Sequence, residues 1–315
     1  MKRLLASIAL AAALLSTASA QQVRFMPQWT AQAQFAGYYM ALEKGFYSDL
    51  GLDVSIVHLS ANTSKSATDF LADGSVDIIS NNLITAMFAR DAGIPLVNVM
   101  QVSQNNTLMC VSRTPISSFR DLDGKKVAIW KSGHSEIATM YASEHSLDID
   151  WIYFSKGINV FLSGAVDATL CYSYSEYLSL LFARGEIPDE NIVRFADMGY
   201  NYPEDGVYVT ETYYRKHKDT VDKFREASRK GWEYVRENKD EAIDLVMRHA
   251  REDNISTNRW FQKLMLNEIL ESQISREDGS ATFEQVNREL FGTINARLLE
   301  NSFISSPIDY DTFIK

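Results

Sequence analysis

Four short segments of this chain carry side chains able to grip a flat, polar guest. Residues 28–35 bring Trp29, Gln34 and Phe35, with Tyr38 a turn later, and 80–82 bring the amides of Asn81 and Asn82. Residues 131–136 bring Ser132, His134, Ser135 and Glu136, and 172–176 bring Tyr172, Tyr174 and Glu176. Aromatic faces stack on planar rings, while amides and a carboxylate orient them by directed hydrogen bonds. This chemistry recognises a ligand rather than breaking bonds. The histidines, His58, His134, His145, His217 and His249, show no paired metal-ligand spacing, and no nucleophile elbow or phosphate loop appears. No catalytic residue, metal or cofactor is expected.

Each position also has a plainer use. Tyr39 and Phe46 fit the buried face of a helix. Asn81 and Asn82 suit a turn and helix cap, and Glu176 suits the first turn of a helix, where it complements the dipole. Trp29 has the strongest claim to a pocket, because it sits among polar residues, Gln28, Thr30, Gln32 and Gln34, after a strand.

The segments matter because of where the alternating pattern puts them. Strands are expected over 23–26, 52–58, 76–80 and 96–102, with helices over 33–44, 64–72 and 83–92 between them. The pattern restarts with strands over 107–112, 126–130, 150–154, 168–172, 193–196 and 207–210. Helices intervene over 135–145 and 176–183. Such alternation signals an α/β fold with largely parallel sheets. Charged amphipathic helices follow over 212–217, 220–238, 239–250, 257–271 and 282–301, and 302–315 reads as irregular. Two consecutive α/β units give two lobes: 21–106 with 206–315, and 107–205. Ligands bind at the carboxyl ends of strands in open α/β sheets, and all four segments lie there. A ligand cleft between the lobes is therefore expected, with hinges near 104–106 and 205–206.

The first twenty residues read as a cleavable export signal: Lys2 and Arg3, an apolar run over 4–15, then Ala18-Ser19-Ala20. The run is too short to span a bilayer, so a periplasmic protein without stable membrane insertion is expected. The formal net charge of −10 disfavours nucleic acid and anionic lipid as partners. Cys110 and Cys171 lie in apolar strand-like runs and read as free thiols, although an exported protein could also pair them.

Three stretches carry a family resemblance. WTAQAQFAGYYMALEKGFYSDLGLDV at 29–54, GSVDIISNN at 74–82 and GAVDATLCYSYSEY at 164–177 resemble binding proteins for the pyrimidine precursor of thiamine. These belong to an NMT/THI-like superfamily that also holds riboflavin-, sulfonate- and nitrate-type binders and yeast-type pyrimidine synthases. The resemblance implies a type II periplasmic binding fold that delivers its ligand to an ABC permease; a monomer is expected. It implies that Trp29 and Tyr38 lie near the ligand and that Asn82 hydrogen-bonds it. It also implies that Glu176 pairs with a ring nitrogen and an exocyclic amine. Ser175 departs from the family's usual Asn, and Gln34-Phe35-Ala36 departs from a His-containing variant. A thiamine pyrimidine precursor is the favoured ligand, with riboflavin or an anion facing Lys131 as alternatives. The synthase reading lacks the cysteine-rich cluster that the resemblance would require.

Overall fold

The computed structural model describes residues 20–60, 63–131, 136–155, 157–274, 279–281, 283 and 285–315. The expected export signal falls on 1–19, outside the described residues, apart from Ala20. Ten strands among the described residues form two five-stranded sheets. The first has the order β2-β1-β3-β10-β4, from β1 (Gln21–Met26), β2 (Leu52–Ile56), β3 (Ile78–Asn82), β4 (Leu96–Gln101) and β10 (Asp205–Thr210). The second has the order β7-β6-β8-β5-β9, from β5 (Leu108–Ser112), β6 (Lys126–Trp130), β7 (Asp150–Phe154), β8 (Ala168–Tyr172) and β9 (Ile192–Arg194). β4, β5 and β8 are buried along their whole length, as strands covered on both faces must be. β2 instead alternates between buried and exposed positions.

The sheets are less parallel than the alternation predicts. β10 runs antiparallel to β3 and β4, and β5 runs antiparallel to β8 and β9. Both are the strands by which the chain enters a sheet after crossing between lobes, so they arrive from the opposite direction. This puts Asp205, the first residue of β10, level with Asn82 at the carboxyl end of β3.

The expected helix over 33–44 splits into a 3-10 turn, Ala33–Phe35, and a helix, Ala36–Glu43. The Ala33 amide is drawn to the Gln262 side chain at 2.6 Å, a tertiary bond that overrides helical continuity. The helix expected over 282–301 begins only at Arg288. Phe283 has φ +52°, which a right-handed helix cannot contain, and the Asn287 side chain caps the Glu289 and Leu290 amides instead. The last residues are partly regular: Tyr310–Phe313 is helical, and Ile314 bridges to Asn98 of β4. Cys110 and Cys171 are free and buried. Met109, not Cys110, stands opposite Cys171, so the two thiols point to opposite faces of the sheet. No described helix is long and apolar enough to cross a membrane.

The first lobe is tied together by Ala36–Glu43 against Lys218–Glu237, whose Val221, Phe224, Ala227, Trp232 and Val235 form a buried face. The helices meet backbone to backbone. A Cβ on Gly231 would lie 2.1 Å from the Gly37 carbonyl oxygen, and one on Gly37 would lie 2.2 Å from the Trp232 ring. Gly231→Ala should therefore push the helices apart and cost about 1–3 kcal/mol of stability, an overpacking penalty. Urea unfolding measures this, and an unchanged midpoint would contradict the close approach.

Candidate functional site

The second lobe supplies a wall of stacked rings. β6 ends at Trp130 and β8 at Tyr172, placing their rings 5.3 Å apart, while Tyr172 and Tyr174 stack at 5.4 Å and 19°. Glu176 opens the helix Glu176–Arg184 directly after this turn. Its Oε1 accepts from Trp130 Nε1 at 3.3 Å and its Oε2 from the Tyr172 amide at 3.2 Å. Burial raises its pKa, and these hydrogen bonds only partly offset the effect.

The first lobe supplies amides and two further carboxylates. Gln28 follows β1, donates its backbone N–H to Ser80 Oγ at 2.9 Å and sends its Nε2 to Asp205 Oδ1 at 2.8 Å. Gln34 sends its Nε2 to Asp205 Oδ2 at 2.8 Å and reaches the Tyr174 hydroxyl of the other lobe at 3.4 Å. The two lobes thus touch at Gln34 and Tyr174. Glu204 joins the chain crossings: Thr107 donates its amide to Oε1 at 2.7 Å and its hydroxyl to Oε2 at 2.9 Å. Ser103 Oγ accepts from the Glu204 and Asp205 amides, both at 2.8 Å. Burial pushes Asp205 up to about 6 against its glutamine donors. It pushes Glu204 up to about 8 against the Thr107 amide, with the Asp205 charge adding to the rise. Burial, followed by Glu204, Asp205 and Glu176 among the facing carboxylates, also keeps the Tyr172 and Tyr174 phenols neutral. Carboxylates from both lobes therefore act on the same two phenols.

The other sequence-predicted residues are placed as follows. Trp29 is 49% exposed, in the loop beside Gln28. Phe35 is buried, and Tyr38 packs among Phe25, Phe224 and Trp232, with centroids at 4.6, 6.4 and 5.9 Å. Asn81 donates to Thr68 Oγ1 at 2.9 Å and accepts from the Asn82 amide, while Asn82 Oδ1 caps the helix Leu83–Asp91 through Ile84. His134, with Ser132 and Ser135, lies outside the described residues. Lys131 is exposed. Sequence reasoning placed Asp205 only at a hinge and passed over Trp130 as a ring wall and Glu204 altogether. The strand-end rule finds Asp205 once β10 is known to run antiparallel.

A cavity of about 420 Å³ opens further along the same edge of the second sheet, towards β5 and β9, lined by Asn105, Thr107, Ser173, Tyr177, Arg194 and Glu271 among others. Among the described residues no group of three or more His, Cys, Asp or Glu is placed to hold a metal.

The family model described as NMT1/THI5 like matches residues 32–242. The chain belongs to that family. It is 27% identical to the riboflavin-binding protein RibY of Chloroflexus aurantiacus, over 74% of this chain and 67% of that protein. It is 24% identical to the formylaminopyrimidine-binding protein of Halalkalibacterium halodurans, over 97% and 94% of the two chains. A 4-amino-5-hydroxymethyl-2-methylpyrimidine phosphate synthase of Saccharomyces cerevisiae is 22% identical over 69% of this chain and 68% of the enzyme. Among solved structures, the periplasmic aliphatic sulphonate binding protein SsuA of Escherichia coli superposes with a TM-score of 0.68, 19% identity, and 94% and 92% coverage. The two lobes and C-terminal helices are thus the type II periplasmic binding fold. Fold and family are those of small-molecule-binding proteins of ABC-type systems, although some relatives are enzymes.

Glu204 gives a stability signature with a definite sign. Its folded pKa of about 8 lies above the unfolded value of 4.5, so the folded state holds the proton longer. Stability from this group is complete below pH 4.5 and is lost as pH rises through about 8, with a slope of at most about 1.4 kcal/mol per unit. Glu204→Gln should flatten the stability–pH profile across that window in chemical unfolding. An unaltered profile would mean that Glu204 is charged in the folded protein at neutral pH.

Proposed function

We propose that this chain captures a small, flat nitrogen heterocycle between its lobes and presents it to an ABC permease, with a thiamine pyrimidine precursor as the favoured ligand. The observation that carries this reading is the Trp130–Tyr172–Tyr174 ring series with the Glu176 carboxylate set between Trp130 and Tyr172. Stacking on such rings selects for planarity, and a carboxylate can accept from an amine and a ring N–H together. On the first lobe, Asn82 commits Oδ1 to the helix cap and keeps Nδ2 to donate to the ligand. Gln34 holds position between Asp205 and Tyr174, and Trp29 extends the aromatic surface at its own loop. Asn81, Phe35 and Tyr38 support this wall from behind, through Thr68 and the buried rings, and His134 would reach the ligand from the second lobe.

The relatives at 27% and 24% identity, a riboflavin binder and a formylaminopyrimidine binder, agree with a heterocyclic ligand. An anionic ligand fits poorly, because buried Glu204 and half-buried Glu176 and Asp205 act on the same tyrosines and an added negative charge would raise their cost further. Lys131, the cation suggested for an anion, is exposed. A role as pyrimidine synthase lacks support in a chain whose two cysteines are inert and buried. Binding works through closure: the ligand docks on one lobe, and the closed form gains the contacts of the other. The crossings near 104–106 and 205–206 are the hinges, and the compartment is the periplasm.

Isothermal titration with 4-amino-5-hydroxymethyl-2-methylpyrimidine, riboflavin and an alkanesulfonate tests the reading. A heterocycle should bind and the sulfonate should not; sulfonate binding with no response to either heterocycle would overturn it. Glu176→Gln should weaken the aminopyrimidine by about 1–3 kcal/mol, the worth of a hydrogen bond to a charged group. Unchanged affinity would remove Glu176 from the contact surface.

A further inference from the structure

Asp205, at the start of β10 in the first sheet, is a carboxylate that lies outside the family motifs. It stands level with Asn82 at the strand ends and keeps part of its surface accessible. Among the described residues its carboxylate accepts from the neutral amides of Gln28 and Gln34, at 2.8 Å each, and no salt bridge reaches it. Two neutral donors leave a carboxylate, with about four acceptor sites, half satisfied. Gln28 adds a second unmet demand. Turning its Nε2 to Asp205 leaves its Oε1 buried without a partner. A buried acceptor without a donor is costly, so this one side chain places an orphaned acceptor beside an unneutralised carboxylate. What both lack is a source of N–H donors, preferably carrying positive charge.

We infer that Asp205 and Gln28 form a second recognition point, on the lobe opposite Glu176, that selects ligands bearing an amino group on a basic heterocycle over the same rings without it. This rests on the heterocycle reading and deepens it: Glu176 grips one edge of the guest and Asp205 another. Gln34 couples the two, since the same Nε2 meets Asp205 and the Tyr174 hydroxyl. An amine docked at Asp205 thus meets the lobe contact itself. The titratable groups facing Asp205 are Glu204 and Tyr208 from its own strand, Tyr38 from the helix Ala36–Glu43, and Tyr172 and Tyr174 from the second lobe. None of these is a cation, so nothing in this set substitutes for the ligand's charge.

The sign of the pH dependence follows. Asp205 is pushed up to about 6, so it is charged at pH 7.5 and becomes protonated towards pH 5. A protonated carboxyl loses acceptor sites, and the advantage of Asp205 over asparagine should fade over this range.

The test is titration calorimetry of the full mature protein with 4-amino-2-methylpyrimidine and with 2-methylpyrimidine, from pH 5 to 7.5. The wild type should prefer the amino compound. Asp205→Asn should weaken the amino compound at least tenfold at pH 7.5, leave 2-methylpyrimidine within about threefold, and match the wild type near pH 5. Comparing the two proteins with one ligand at each pH cancels the titration of the ligand itself. If Asp205→Asn does not fold, Gln28→Met replaces it, removing both the donor and the orphaned acceptor, and should shrink the preference for the amino compound. Binding of both pyrimidines with the preference and its pH dependence intact in the variant would overturn the inference and leave the heterocycle reading standing. Failure of the wild type to bind either pyrimidine or riboflavin would remove the reading beneath it.

Discussion

Two adjacent carboxylates, buried Glu204 and half-buried Asp205, stand where the chain returns to its first sheet, and the cleft is organised around the cost of keeping them there. A buried carboxylate must be protonated, paired or hydrogen-bonded. Glu204 meets the demand by tying the two crossings together through the Thr107 amide and hydroxyl. Asp205 meets half of it by collecting Gln28 and Gln34 from the loop after β1. That second bargain shapes the first lobe's surface, since it fixes the loop that carries Trp29 and carries Gln34 to the Tyr174 hydroxyl. One residue pair thus connects hinge geometry, loop conformation and contact between lobes.

The loop can be held this way only because the helix behind it cannot move. Ala36–Glu43 is pinned against Lys218–Glu237 by two glycines whose backbones touch. On its other side, Tyr39 meets His58 Nε2 at 2.6 Å, and His58 Nδ1 meets Asp253 at 2.6 Å. Desolvation pulls His58 down to about 4 even beside that carboxylate, so it is neutral near pH 7 and holds Tyr39 as a fixed tautomer rather than as a cation. Ala33 is fastened to Gln262 from the C-terminal helices. The 29–54 stretch therefore serves packing as much as the proposed recognition, with Tyr38 and Tyr39 on the packing side.

This division explains what was legible in the sequence. The α/β class, the two lobes and the C-terminal helices follow from periodicity, because a strand buried on both faces and an amphipathic helix each leave a direct mark on residue order. Expected strands over 126–130, 150–154 and 168–172 coincide with β6, β7 and β8. Direction of strands leaves no such mark: β5 and β10 look like any apolar run, and only the crossings reverse them. Asp205 was obscured for that reason, reading as a turn before a strand when it stands at the site end of one. The ring wall was half legible. Tyr172, Tyr174 and Glu176 follow a strand in plain view, whereas Trp130 is read as the end of a strand until its indole N–H is seen on Glu176. The competing plain readings of Asn81 and Asn82 are present in the structure as well, as a bond to Thr68 and a helix cap. A cap occupies one oxygen of the amide, so structural duty and recognition need not exclude one another.

The same scaffold underlies a sulphonate binder at a TM-score of 0.68 and a riboflavin binder and a formylaminopyrimidine binder by sequence, so the fold itself is indifferent to ligand charge. What the fold fixes is that strand ends from two sheets face each other across the crossings. The sign of the guest must then come from what stands on those ends. Here the groups that the rings face are carboxylates, each buried enough to have its pKa raised, and the donors supplied against Asp205 are uncharged amides. On the proposed reading, an anion entering this space would add to the charge cost already incurred, whereas a donor-bearing ring would relieve it. On that reading, selectivity follows from an electrostatic deficit left open on both walls, and the aromatic rings between them add the requirement that whatever fills it be flat.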